Sequence, residues 1–412
     1  MITTEFTERY LLDPEVNADP YPYLTALREH RGVYWSRIHR AWLVTGHAQV
    51  VRCLGDEAIS ADRVKPIMEN IPRGTLDDEA GRAMEILSNW MVFNDPPEHR
   101  RLRTVFQERF SVRAINRDTS PITKLTEALI SRKVVPGTFG DIVADVAKPL
   151  PNLAFTRWLG VPPQHGPSFW YWNARVADLV LGAAQVEREY RTSLQSLAKL
   201  HDFLLDLVRQ RRERPEGEDL ISTVLAGGAV GDSPGHPVSE EEFVGMLTHL
   251  AFAGGETTSN LIANGMRALL LDPGQLAAIR EDPTLVPAAV EEALRHDGPS
   301  KMSVRLAARD LELEGETIRA GDRVFLVTAA ANRDPQAFAD PGRFDVRRGR
   351  TPHLGFGFGI HFCIGAALAR LVAGSAIEAL VRRCPDLKLD GTDHAWQSSL
   401  LNRSLTALPV GY

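Results

Sequence analysis

The chain has 412 residues, 44% hydrophobic and 24% charged, a balance that excludes intrinsic disorder, collagen-like repeats and a disulfide scaffold. With 47 Lys and Arg against 53 Asp and Glu, the formal charge is −6, which argues against bulk electrostatic binding of nucleic acid. Three scattered cysteines, Cys53, Cys363 and Cys384, fit a reducing compartment better than a secreted framework. The acid-bearing start, MITTEFTERYLLDPEV, has no apolar core of leader length, and no run reaches the roughly 18 apolar residues of a membrane span. A cytoplasmic protein that binds neither membrane nor nucleic acid is therefore expected.

In chain order, residues 18–31 open with turn chemistry and continue as a helix. Val33–Ser36 and Ala41–Thr45 predict strands around a tight turn at Ile38–Arg40, and a helix follows at His47–Leu54. Residues 62–92, punctuated by Pro66, Pro72 and Gly74, suit a binding loop or lid. From Pro96 to about Leu270 the pattern is helical, with breaks at Pro136–Gly140, Gly160–Pro167, Pro215–Gly217 and Gly227–Pro237. Val304–Ala307, Leu311–Leu313 and Arg323–Val327 read as short strands, and a last long helix runs from about Gly365 to Arg383. The sum is a mainly α protein with a minor β region, neither a βαβ alternation nor a sandwich.

The segment 355–370, GFGFGIHFCIGAALAR, carries the chemistry. Its glycines give backbone freedom, and Cys363 falls just before a helix N-terminus, where the macrodipole and free N–H groups favour a thiolate. That suits axial ligation of a flat metal cofactor, while a free core cysteine and a zinc ligand are the competing readings. Only His361 stands beside Cys363, against about four ligands for zinc. A dinucleotide loop does not fit, since Ile360 and Phe362 fall where glycines would be required.

Elsewhere, Ser239 and Glu242 form a capping-box signal opening a helix to about Leu271, some 32 residues or roughly 48 Å. Its middle, Ala253-Gly254-Gly255-Glu256-Thr257-Thr258, is either a distorted polar groove or a kink with a solvent-facing acid. Glu292 and Arg295 share a helix face at i,i+3, and His99 and Arg103 do so at i,i+4; either pair is also compatible with a solvated surface.

The pattern Phe356-Gly357-x-Gly359-x-His361-x-Cys363-x-Gly365 resembles the haem-binding signature of the cytochrome P450 family, soluble bacterial type. The other segments follow the family's order along essentially the whole chain. The resemblance implies a single triangular, prism-like domain over residues 1–412 with no fused reductase, and haem b as cofactor. It implies Cys363 as axial ligand, with His99, Arg103, Arg305 and His361 on the propionates and Phe356, Gly357, Gly365 and Ala253 against the macrocycle. Glu256 and Thr257 match the acid–alcohol pair that supplies protons for dioxygen activation. Glu292, Arg295 and Arg343 match a buried structural network.

The implied reaction is insertion of one oxygen atom from O2 into a small organic, mostly apolar substrate. Leu250, Gly254, Ser300, Lys301 and Met302 are the expected pocket residues. Electrons would come from NAD(P)H through a ferredoxin or flavodoxin-type donor and its reductase, docked on Arg109, Arg113, Arg347, Arg348 and Arg350. A monomer is the default. A peroxide-driven peroxygenase and a non-catalytic haem sensor remain as alternatives. Lys301 points either outward or at a substrate carboxylate. Phe169-Trp170-Tyr171-Trp172 is either a lid or core. Loops 62–92, 165–190, 299–303 and 396–402 carry specificity.

Overall fold

The computed structural model describes every residue except 1–5, 71–76, 118, 182–185, 215–216, 232–236 and 392–393. The helices that frame the site are α1 (Glu98–Gln107), α2 (Pro149–Leu159), α3 (Gly166–Val180), α4 (Glu187–Glu213), α5 (Glu240–Leu271), α6 (Val286–His296) and α7 (Ala366–Arg383). Around α5 pack α2, α3, α4, α6 and α7. This 32-residue helix is apolar on nearly all faces, as expected of a helix surrounded by others. Its start is set locally. The Ser239 hydroxyl accepts from the Glu242 N–H at 3.2 Å, and the Glu242 carboxylate accepts from the Ser239 N–H at 2.9 Å.

The β portion lies to one side. Strands β1 (Val33–Ser36), β2 (Ala41–Val44), β3 (Ile59–Ser60), β4 (Ser303–Ala307) and β5 (Arg323–Leu326) form one sheet in the order β1-β2-β5-β4-β3. The β2–β5 pair is parallel, with Trp42 opposite Val324, and the other pairs are antiparallel. A hairpin of Leu311–Leu313 and Glu316–Ile318 turns through Glu314 and Gly315, both at positive φ. A further sheet joins Phe139–Asp141, Pro409–Gly411 and Lys388–Leu389. One hydrophobic cluster runs from Val64 to Tyr412, while smaller ones lie under the main sheet and against the N-terminal helices.

The strands expected around 33–45, 304–307, 311–313 and 323–327 are all present. Segment 62–92 holds helices at Lys65–Asn70 and Asp78–Ser88, while Pro72 and Gly74 lie outside the described residues. The breaks at Pro215–Gly217 and Gly227–Pro237, and the specificity loops 165–190 and 396–402, are described except for the masked positions within the first three. Short strands at 59–60, 139–141, 388–389 and 409–411 carry too few residues to show a period in sequence.

Candidate active site

A cavity of about 340 Å³ lies between α5 and the loop before α7. Cys363, Phe356, Gly357 and Gly365 form one wall, and Leu250, Ala253, Gly254 and Thr257 of α5 form the other. The cysteine loop is held by the Cys363 N–H, which donates to the Phe356 carbonyl at 2.9 Å, and Gly365 caps α7. Gly357 and Gly359 sit at φ +73° and +70°, and a Cβ on Gly359 would come 3.0 Å from the Leu54 carbonyl oxygen. No other residue type makes this loop without strain. On the opposite wall, a Cβ on Gly254 would come 2.6 Å from the Phe155 ring. Gly254 therefore lets α2 press against an unbroken α5. The distorted groove expected from the glycine pair is absent, because the small residues are used for helix contact.

Burial raises the Cys363 thiol pKa, while the Gly365 backbone N–H and the charges of Arg103 and Arg370 pull it down. The backbone N–H expected at the start of α7 is supplied by Gly365, and burial outweighs it. At one end of the cavity stand His99, Arg103, Arg305 and His361. The two imidazoles lie 4.2 Å apart, and each buries an Nε2 with no partner. Burial, reinforced by neighbouring cations, pushes His99 down to about 4 and His361 to about 3. Burial also lowers Arg305 to about 10; its Nη1 donates only to the adjacent Val304 carbonyl, at 2.9 Å. Arg103 donates to the Phe362 carbonyl at 2.7 Å. Buried cationic groups and orphaned imidazole nitrogens converging here lack an anion to pair with. A flat group carrying two carboxylates and open to a thiolate meets these demands, so the residues present fit haem. Among the described residues, no three His, Cys, Asp or Glu side chains gather to hold a metal ion, which removes the zinc reading.

Behind the cysteine loop, Arg295 is fully buried and forms a two-pronged pair with Glu292 at 2.8 and 2.7 Å. Here a correction is needed. The second arginine on Glu292 is Arg348, at 3.1 Å, not Arg343. Arg343 contributes only its carbonyl, which accepts from Arg295 and from Arg348, and its side chain is exposed. The chain turns at Asp340, φ +45°, and aims the Arg343 backbone inward while the side chain leaves. Arg348 is thereby removed from the proposed basic docking face. Arg109 is half-buried with a bond to the Thr223 carbonyl, so Arg113, Arg347 and Arg350 remain as its exposed members.

A neighbouring anchor was missed. Glu291 takes two bonds from Arg370 of α7, at 2.6 and 2.8 Å, and one from His353 at 3.0 Å. Burial raises its pKa, but these partners outweigh it and hold the carboxyl down to about 2. Adjacent acids Glu291 and Glu292, with Arg370 seven residues after Cys363, were the available signal.

Three more expectations fail. Glu256 does not enter the main cavity. It faces a separate cavity of about 190 Å³ lined also by Lys148, Asn152, Trp170, Asp178 and Ser399. Successive helical residues diverge by about 100°, so Thr257 faces the main cavity and Glu256 does not. Burial raises the Glu256 pKa, and its carboxylate lies 3.4 Å from the Ser404 hydroxyl. Lys301 is neither outward nor in the pocket. It is buried, with Nζ 3.3 Å from Asn17 Oδ1 and its pKa lowered by burial to about 8. Met302 packs into the N-terminal cluster, so of 300–302 only Ser300 reaches the cavity. Phe169 and Trp172 pack near Phe203 and Trp170 donates to Thr156 at 2.8 Å, so these three rings pack inward while Tyr171 is exposed. His249 also lines the main cavity and was not foreseen. Its spacing of four and eight residues from Ala253 and Thr257 places it on their face.

Residues 183–399 match the sequence profile described as Cytochrome P450. The chain is 36% identical over 406 residues to cytochrome P450 monooxygenase PikC of Streptomyces venezuelae, covering 97% of this chain and 92% of that one. It is 35% identical over 416 residues to vitamin D(3) 25-hydroxylase of Pseudonocardia autotrophica, covering 99% and 98%. A crystal structure of P450BioI in complex with a hexadec-9Z-enoic acid-ligated acyl carrier protein superposes with a TM-score of 0.88 at 30% identity, covering 97% and 100%. No described helix is long and apolar enough to cross a membrane. With a lone cysteine facing a glycine-bearing helix across an apolar cavity, and relatives matching end to end, the chain belongs to the cytochrome P450 family of haem-thiolate oxidoreductases.

Proposed function

We propose that this chain is a monooxygenase that inserts one oxygen atom of O2 into a small, mostly apolar organic molecule, by hydroxylation or epoxidation. Haem b is the cofactor, and residues 1–412 act as one domain, a monomer in the cytoplasm. Electrons come from NAD(P)H through a ferredoxin or flavodoxin-type carrier and its reductase. The observation that carries the reading is the pairing, in one cavity, of the Cys363 thiol with unpartnered His99 and His361 nitrogens and the buried Arg305.

In this reading Cys363 Sγ is the metal ligand. His99, Arg103, Arg305 and His361 take the cofactor's carboxylates, while Phe356, Gly357, Gly365 and Ala253 border its faces. When bound, haem supplies the redox chemistry that activates dioxygen. The protein supplies the rest. The Gly365 N–H, Arg103 and Arg370 favour the thiolate over the thiol. Leu250, Gly254 and Ser300 exclude water and orient substrate. Thr257 Oγ1, donating to the Ala253 carbonyl at 2.7 Å, presents a hydroxyl to the main cavity. Burial raises the Glu256 pKa, and its carboxyl on the far side of the same helix turn is the group this reading assigns to proton supply. Exposed Phe358, Ile360 and Phe362, with exposed Arg113, Arg347 and Arg350, support docking of an acidic electron carrier. The relatives' names, a cytochrome P450 monooxygenase and a vitamin D(3) 25-hydroxylase, support an organic substrate.

The test is the spectrum of the reduced protein under carbon monoxide. The red-shifted band that gives the family its name is expected in the wild type and absent in Cys363→Ala. A wild type that takes up no haem when expressed with ample iron overturns the reading.

A further inference from the structure

His249 is a polar side chain on the α5 wall of the main cavity. It is buried, its Nδ1 has no hydrogen-bond partner, and its ring lines the cavity wall. Behind it lies the indole of fully buried Trp90, with ring centroids 5.1 Å apart. That indole is fixed by its own bond, from Nε1 to the Thr248 hydroxyl at 2.9 Å, and by stacking on Phe93 and Phe252. The imidazole is thus clamped against an aromatic face that offers it no hydrogen bond.

Three of the cavity hydroxyls already donate: Thr257 to the Ala253 carbonyl, Ser300 to the Met302 carbonyl and Thr328 to the Ser300 carbonyl. The other cavity imidazoles, His99 and His361, sit among the arginines that fit the cofactor's carboxylates. The His249 Nδ1 atom is shielded from the cavity as well as unpaired, so a cavity ligand meets the ring's other edge, where one hydrogen bond contributes about 0.5–1.5 kcal/mol. Burial also pushes His249 down to about 3, so the ring is neutral at physiological pH.

We propose that His249 is the polar recognition point of the substrate cavity, hydrogen-bonding a neutral hydroxyl or keto group on an otherwise apolar substrate. This deepens the monooxygenase reading and rests on it. A neutral ring gives no ionic anchor, so a carboxylate would gain a hydrogen bond here but no ion pair. Eight residues at about 1.5 Å each put His249 roughly 12 Å along α5 from Thr257.

Holoenzyme is titrated with dodecane, dodecanol and dodecanoate, followed both by the absorption shift and by calorimetry. Wild type is expected to bind dodecanol about tenfold more tightly than dodecane, the size of one good hydrogen bond. His249→Leu should erase that preference while keeping or improving dodecane binding, and His249→Gln should restore part of it. Equal binding of dodecane and dodecanol by wild type, binding of neither, or a preference that survives in His249→Leu overturns the proposal. So does a ligand-free spectrum showing imidazole on the iron that disappears in His249→Leu. The carbon monoxide spectrum separates the two readings. A missing band defeats the monooxygenase, with calorimetry still deciding His249. A normal band with an unchanged preference defeats His249 alone.

Discussion

The two walls of the cavity are built on opposite principles. The cysteine wall is braced. Glu292, Arg295 and Arg348 form a buried network with their remaining bonds made to Asn332, Pro341, Arg343 and Asp345 backbone groups, and Glu291, Arg370 and His353 lock α6 to α7 beside it. The α5 wall and the cavity's polar end leave groups unpaired, among them His249 Nδ1 and the Nε2 atoms of His99 and His361. Satisfied networks hold a loop still, whereas unsatisfied buried groups are demands that a ligand must meet. One wall therefore positions the thiol, and the other is shaped for what enters.

The largest test of that contrast is Glu292→Ala. It strands the fully buried Arg295 charge, and removal of one partner of such a pair costs about 3–5 kcal/mol. Loss of soluble, haem-loading protein is expected, measured as haem content per chain. Retention of normal haem content and thermal stability would mean the brace is dispensable.

Next come the two faces of α5. Thr257→Ala should keep substrate binding but divert most reducing equivalents to peroxide or water. Glu256→Gln, on the second cavity, should slow turnover by roughly a hundredfold, as befits loss of a proton-transfer group. Product formed per NAD(P)H consumed separates the two. Unchanged coupling in Thr257→Ala would break the assignment of that face.

Acid should reach the α5 wall before it loosens the brace, because His249, lowered from 6.5 to about 3, begins to cost stability as pH falls below about 6.5. The Glu291 pKa is lowered from 4.5 to about 2, so its stabilising contribution is complete above about 4.5 and is lost as pH falls towards 2. Denaturation midpoints measured across that window should fall less steeply in Glu291→Gln than in wild type. The smallest effect expected is that of Arg343→Ala, within about 0.5 kcal/mol because the side chain is exposed and only its carbonyl is used. Arg348→Ala should cost about 1–3 kcal/mol through the loss of its charged bond to Glu292. Equal midpoints for the two variants would restore Arg343 as the network's third member.

Much of the cavity was legible in advance. Cys363, Gly357, Gly365, His99, Arg103, Arg305, His361 and three of five pocket residues all line it. The capping box at Ser239 and the strands at 33–36 and 41–44 were likewise readable, since each depends on neighbours a few positions away. The features readable in advance are therefore local: a lone cysteine before a helix, glycines where the backbone takes positive φ, a long apolar helix carrying an acid beside an alcohol.

Only the tertiary structure decided which arginine reaches Glu292, because Arg343 and Arg348 both lie some fifty residues away and the turn at Asp340 settles which side chain points inward. It also set Glu256 apart from Thr257, turned Lys301 towards Asn17, and left His249 without a partner against Trp90. Each of those outcomes depends on what another segment places opposite the side chain, and residue type and spacing carry no record of that.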